Sequence, residues 1–144
     1  MKSINKEAPV SCSKTILINA SPEKVWTALA KIDQWANWQT DINKSKLNGE
    51  LKPDATFVWN SGGAKIHSTI HTVDPFNRLG WTGRTFGMFA IHNWTISKEN
   101  NQTQVAVDES MEGFLASLFK KAFNKNLDKG LQTWLDLLKK ECEK

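Results

Sequence analysis

Tyrosine is absent from this chain, although tryptophan and phenylalanine each occur seven times. Cysteine occurs only twice, and Cys12 and Cys142 match neither a metal-binding nor a redox spacing, so we expect two free thiols. No apolar run approaches the roughly 18 residues of a membrane-spanning helix, and the N-terminus carries no apolar segment typical of a signal peptide. The sequence therefore predicts a cytoplasmic protein without stable membrane insertion.

The sequence contains no long run of charges of one sign. Nineteen basic and fifteen acidic residues give a net charge of +4, and the only lysine pairs are Lys120-Lys121 and Lys139-Lys140. Both pairs lie in a predicted amphipathic helix, where a solvated face is the usual explanation. Because no nucleic-acid-binding module is recognisable either, we expect no nucleic-acid partner.

Histidine is scarce, with three residues in the chain. His67 and His71 share one face of a predicted strand but are four residues apart, which separates them by roughly 13 Å. Two ligands at that distance cannot share a zinc ion. We therefore expect no metal site and no cofactor, and we expect both side chains to face solvent.

The chain length of 144 residues and the apolar fraction of 40% indicate a single domain over 1–144, with 1–12 as a flexible extension. A first strand is expected at 14–19. Two short helices should follow, near 22–31 and 34–41, because Ser21 and Pro22 form a typical helix start.

Beyond about residue 44, apolar residues of alternating parity and regular turn signals predict six further strands. Residues 115–142 predict one long amphipathic helix. An antiparallel sheet with one apolar face needs a cover, and only this helix is long enough. The expected fold is α+β of the helix-grip kind, a curved antiparallel sheet of about seven strands around a long C-terminal helix.

Several segments resemble the START-like (SRPBCC) superfamily, in particular its polyketide cyclase/dehydrase and lipid-transport group. These segments are ILINASPEKVWTAL at 16–29, VDP…LGWTG at 73–83, HNWTI at 92–96 and VDESMEG at 107–113. The resemblance implies a cavity between the sheet and the C-terminal helix that takes hydrophobic or aromatic ligands. It does not imply one function, because this fold serves lipid carriers, aromatase/cyclases and chaperone-ATPase activators.

One polar pair stands out on the predicted inner face. His92 shares parity with Trp94, and a turn centred on Asn100-Asn101 places His92 opposite Glu109, with Cβ atoms roughly 5 Å apart. Such a pair could act as a general acid/base couple. It could equally be a satisfied internal pair that orients a ligand or braces the sheet.

Aromatic and apolar residues of inner parity are the expected ligand contacts. With the polar pair, the predicted set is Trp38, Phe57, Trp59, Ile70, Trp81, His92, Trp94, Val107, Glu109, Phe119 and Phe123. The tryptophans could line a cavity or fill it. Gly130, which costs about 1 kcal/mol relative to alanine inside a helix, could leave room for a ligand or allow close packing.

Three functions remain open at this level. The first is the binding or carrying of a small hydrophobic, aromatic or lipid-like molecule. The second is a cofactor-free cyclase/dehydrase-type reaction that uses His92 and Glu109. The third is a protein-interaction module related to chaperone-ATPase activators. The sequence defines neither the ligand nor the oligomeric state.

Overall fold

Seven strands form one antiparallel sheet in the computed structural model, which describes residues 1–144. The strands are β1 (Val10–Ile18), β2 (Ile42–Asn48), β3 (Thr56–Ser61), β4 (Ala64–Asp74), β5 (Arg78–Thr85), β6 (Met88–Glu99) and β7 (Gln102–Glu112). Their order across the sheet is β1-β7-β6-β5-β4-β3-β2, so β2 to β7 form a meander and β1 joins its last strand. The predicted helix-grip fold class is confirmed.

Helices close one face of this sheet. They are α1 (Pro22–Ala30), a 3₁₀ helix (Ile32–Asn37), α2 (Phe114–Leu118) and α3 (Lys120–Cys142). Ser21 caps α1 by accepting a hydrogen bond from the Lys24 N–H. The second short helix, expected near 34–41, is a 3₁₀ helix that begins at Ile32 and ends at Asn37. The first strand, expected at 14–19, begins at Val10, so residues 10–12 of the expected N-terminal extension belong to the sheet.

The prediction of one continuous C-terminal helix over 115–142 is wrong at one residue. Phe119 has φ −111° and ψ 40°, which ends α2 and separates it from α3. The two helices contact different parts of the sheet, since Ala116 of α2 packs on Met88 whereas α3 packs on β1 and α1. The apolar periodicity runs through both helices, so the sequence pattern does not mark the break.

Tryptophan side chains fill most of the space between the sheet and α3. Trp35, from the 3₁₀ helix, is fully buried at the centre of this cluster. Its ring centroid lies 5.3–5.5 Å from those of Phe57, Trp59, Trp81 and Trp134, mostly in edge-to-face contact. The tryptophans therefore fill most of the interior and line only a small part of it.

The N-terminal segment lies on the outer face of the sheet. The Lys2 N–H donates to His71 Nδ1 at 3.4 Å, and Asn93 Nδ2 donates to the Lys2 carbonyl at 2.8 Å. His67 is exposed as predicted, but the prediction that His71 faces solvent is wrong, because its ring is half-buried. Gly80 provides the room: a Cβ there would lie 2.3 Å from His71 Cε1.

Candidate functional site

The β6–β7 hairpin brings His92 and Glu109 together. In its register Ile96 pairs with Val105 and His92 pairs with Glu109, while Asn100 in the turn has φ +55°. His92 Nδ1 and Glu109 Oε1 form a hydrogen bond. The predicted pairing is therefore present, whereas a catalytic role for it stays a prediction.

The surroundings of His92 are almost entirely aromatic. The imidazole is 2% exposed, and it stacks on Trp81 with the centroids 4.5 Å apart and the planes 4° from parallel. Trp94 and Trp134 lie at centroid distances of 5.4 and 6.3 Å. These rings restrict the imidazole to one orientation, so its two nitrogens have different environments.

The hydrogen bond to Glu109 determines the tautomer of the neutral His92 ring. An ionised carboxylate only accepts hydrogen bonds, so His92 Nδ1 carries the hydrogen and donates it in the bond to Glu109. In a neutral imidazole this leaves Nε2 as an acceptor. His92 Nε2 is buried and has no partner, and the same holds for the Trp94 Nε1 donor. The core thus contains one unused acceptor and one unused donor on neighbouring rings.

A small, partly enclosed cavity of about 70 Å³ lies beside this pair. Its lining comes from β3 to β7 and consists of Trp59, Ile66, Ser68, Trp81, Gly83, Thr85, Met88, Ala90, His92, Glu109 and Met111. An apolar cavity of about 150 Å³ holds benzene, so a ligand of that size would have to enlarge this one. Met88 and Met111 are the adaptable walls, because methionine is unbranched and flexible.

The predicted ligand contacts divide into two groups. Trp59, Trp81, His92 and Glu109 line the cavity. The others do not: Phe57, Ile70, Trp94 and Val107 are buried in the core, Trp38 packs on Trp134, Phe119 is exposed, and Phe123 joins a small cluster around Met88. The cavity therefore lies towards one end of the sheet and not centrally under α3.

Sequence reasoning missed most of the smaller lining residues. Met88 has the inner parity of His92, and Met111 has the inner parity of Glu109, so the pattern contained a signal for both. Their importance was not visible because they stand at strand ends beside the β5–β6 turn. Only the packing of α2 shows that these ends are enclosed.

Two other features of the molecule lack the character of a ligand or metal site. A surface depression of about 380 Å³ lies between α1, the 3₁₀ helix and the end of α3, with mostly polar and charged walls. Cys142 belongs to its lining, and burial raises the pKa of this thiol to about 11, so it stays protonated and unreactive. No three His, Cys, Asp or Glu side chains are grouped as metal ligands.

A family model described as polyketide cyclase / dehydrase and lipid transport matches residues 9–143. The chain belongs to this family. The matched range contains every strand of the sheet together with α2 and α3. None of the curated proteins matches the chain in sequence.

Solved structures share the fold of this cyclase/dehydrase-family protein at low sequence identity. The hypothetical protein jhp0584 of Helicobacter pylori has a TM-score of 0.87 at 19% identity, over 99% of this chain and 97% of that one. A START superfamily protein of Mycobacterium smegmatis has a TM-score of 0.79 at 14% identity, over 92% and 97%. DynU16, from the dynemicin biosynthetic locus, has a TM-score of 0.73 at 19% identity, over 90% and 46%. These identities establish the fold alone.

Proposed function

We propose that the protein binds a small hydrophobic molecule with one hydrogen-bonding group in the cavity beside His92. The observation that carries this proposal is His92 Nε2, a buried acceptor without a partner, on a ring that lines a largely apolar cavity. A buried polar atom without a partner costs about 1–3 kcal/mol. A ligand that donates a hydrogen bond there recovers part of this cost.

The walls of the cavity favour a flat ligand. The rings of Trp59, Trp81 and His92 all belong to the lining, and because Trp81 and His92 stack on each other, a ligand would meet their edges and outer faces. Aromatic rings pack well on such faces, and Met88 and Met111 can adjust to the outline of the ligand. The family description, which includes lipid transport, is consistent with a small hydrophobic ligand. The larger depression near Cys142 is too polar and too open to compete for such a molecule.

An enzymatic function is the second candidate, and the orientation of His92 favours it. Glu109 accepts a hydrogen bond from His92 Nδ1–H and leaves Nε2 unpaired, which is the arrangement of a general base held by a carboxylate. His92 would take a proton from a bound substrate at Nε2, and Glu109 would stabilise the resulting imidazolium. Such a pair suits a cofactor-free cyclisation or dehydration.

Phenol and toluene form a matched pair of probes for the binding proposal. They have similar size, but only phenol can donate a hydrogen bond to His92 Nε2. We expect phenol to bind about five- to tenfold more tightly, which corresponds to one net hydrogen bond. His92→Phe should remove this preference, whereas Ile96→Val, in the core but outside the lining, should preserve it. Calorimetry and NMR shifts of the Trp81 indole report both effects.

Equal affinity for the two probes, or shifts confined to residues outside the cavity, would contradict the proposed ligand site. Mass spectrometry of small molecules that copurify with the protein tests the two candidate functions directly. A copurifying hydrophobic molecule that is recovered unchanged supports binding. Its loss of water on incubation with the protein, but not with His92→Ala, supports the enzyme.

A further inference from the structure

Four exposed apolar side chains gather at one end of the molecule. Only seven large hydrophobic residues of the chain are exposed, and four of them form what we call the apolar tip: Phe86, Phe114, Leu118 and Phe119. Phe86 and Phe114 are the most exposed, at 70% and 77%. A Cβ on Gly113 would lie 2.8 Å from the Gly87 carbonyl oxygen, so the β5–β6 turn and the start of α2 are in direct contact.

Phe86 adopts a backbone conformation that does not suit its residue type. Its φ is +49°, in the left-handed region where glycine and asparagine are favoured. Burial does not offset this strain, because the ring is mostly in solvent. Within the isolated fold little of the Phe86 ring is buried to offset this strain, so a contact outside the molecule is the simplest physical reason for phenylalanine at this position.

Positive charge surrounds the apolar tip. The two segments that form it, 84–88 and 112–121, contain Arg84, Lys120 and Lys121 but only one acid, Glu112. Lys65 lies alongside, since its carbonyl oxygen accepts a hydrogen bond from Thr85 Oγ1 at 2.9 Å. The cations of this small region thus exceed its acids by three, in a chain whose total net charge is +4. An apolar centre with a cationic border is complementary to an anionic lipid surface.

We propose that the apolar tip docks on the surface of an anionic lipid bilayer. No helix of the chain is long and apolar enough to cross a membrane, so the contact would be interfacial. Phenylalanine and leucine side chains would enter the headgroup region, and the lysines would meet the anionic headgroups. Gly83, Thr85 and Met88 of the same hairpin line the cavity, so docking would bring the cavity next to lipid. Docking itself does not require a ligand in the cavity.

Flotation with lipid vesicles tests this proposal on the intact protein without any ligand. We expect the protein to float with vesicles that contain phosphatidylglycerol and about tenfold less with phosphatidylcholine alone. Lys120→Gln/Lys121→Gln should weaken binding to the anionic vesicles about fivefold per lysine. Lys98→Gln, on an exposed position of β6 near the opposite end of the sheet, is the matched control and should bind normally.

Phe86→Asn separates docking from folding. Asparagine tolerates positive φ, so the variant should melt about 2–4 °C higher than the parent while its vesicle binding falls about tenfold. Leu17→Ser, which removes another exposed apolar side chain at the far end of β1, should leave vesicle binding unchanged.

Three results would overturn the lipid-docking proposal. The first is no flotation with anionic vesicles. The second is an equal loss of binding in Leu17→Ser and Phe86→Asn. The third is a dimer, seen by light scattering, that dissociates in Phe86→Asn, because the tip would then be an interface between two copies of this chain.

Discussion

The two faces of the sheet each bury a histidine, and they bury it in different ways. On the inner face His92 bonds directly to Glu109, its neighbour across the β6–β7 hairpin. On the outer face the His71 ring and the Asn93 side chain meet above Gly80, and Asp108 is the neighbour of Asn93 on the next strand. His71, Asn93 and Asp108 form what we call the outer-face cluster. The inner pair depends on local register, whereas the outer-face cluster needs a glycine and the N-terminal segment above it.

The pKa values of His71 and Asp108 in the outer-face cluster are shifted mainly by burial. Burial lowers the pKa of His71, and the N-terminal ammonium and Lys2 act in the same direction. Burial raises the pKa of Asp108, and the opposing effects of His92 and Asn93 are smaller. His71 Nε2, Asn93 Oδ1 and Asp108 Oδ1 are buried without partners. On the outer face, burial without hydrogen-bond partners therefore disfavours the charged forms of His71 and Asp108. On the inner face, the buried Nδ1 of His92 has Glu109 as its partner.

The largest expected effect concerns the aromatic packing of the inner face. Trp35→Ala removes the ring at the centre of the tryptophan cluster, and we expect the free energy of unfolding to fall by about 3–5 kcal/mol. Trp38→Ala, which removes a half-buried ring at the edge of the cluster, should cost clearly less. Urea denaturation measures both. Equal losses would mean that the cluster does not act as a close-packed unit.

The next effect tests the glycine requirement of the outer face. A Cβ at Gly80 would lie 2.5 Å from Asn93 Oδ1 as well as against His71, so Gly80→Ala should destabilise the protein by about 2–3 kcal/mol. Gly130→Ala is the control, because a Cβ there meets nothing within 4 Å. It should instead stabilise the protein by about 1 kcal/mol, since alanine is the better helix former.

A double variant shows whether the Gly80 effect comes from the outer-face cluster. In His71→Ala/Gly80→Ala the ring that collides with the new methyl group is gone, so the two changes should cost less together than the sum of each alone. Additive losses would locate the strain elsewhere in β5.

A smaller effect is expected when the inner pair is broken. Glu109→Ala leaves the His92 Nδ1 donor buried without an acceptor, which should cost about 2 kcal/mol. Glu109→Gln keeps an acceptor oxygen and should cost less than about 1 kcal/mol. ¹⁵N NMR of the His92 ring should show the Nδ1–H tautomer in the parent and in Glu109→Gln. An Nε2–H tautomer in the parent would contradict the assigned hydrogen bond.

The smallest effect is the pH dependence that His71 contributes. Its folded-state pKa lies below the ordinary value of 6.5, so the unfolded chain binds this proton first as the pH falls. The contribution to stability is therefore constant above pH 6.5 and decreases below it. His71→Gln should flatten the slope of unfolding free energy below pH 6.5.

Asp108 contributes to the pH dependence with the opposite sign. Its raised pKa means that the native state holds this proton longer, so stability decreases as the pH rises from the ordinary value of 3.8. The opposite signs keep the two effects distinguishable. An unchanged slope in His71→Gln would show that the half-buried ring is solvated in the native state.

Local chemistry determined much of this protein in advance. Alternating parity predicted the inner positions of Trp59, Trp81 and Trp94, and the Asn100-Asn101 turn predicted the pairing of His92 with Glu109. These features depend on residues that are close in the chain or on the two-residue period of a strand. They are therefore visible without knowledge of the distant packing.

Tertiary structure alone decided three further features. The helix break at Phe119 arises because α2 and α3 pack on different parts of the sheet. His71 becomes half-buried because Gly80 of the next strand and residue Lys2 of the N-terminus meet above it. The space between the sheet and α3 is filled because Trp35 and Trp134, from two helices far apart in sequence, pack against each other over Trp59, and the cavity that is left measures about 70 Å³. Each depends on the sizes and positions of side chains brought together from distant segments, which no local pattern encodes.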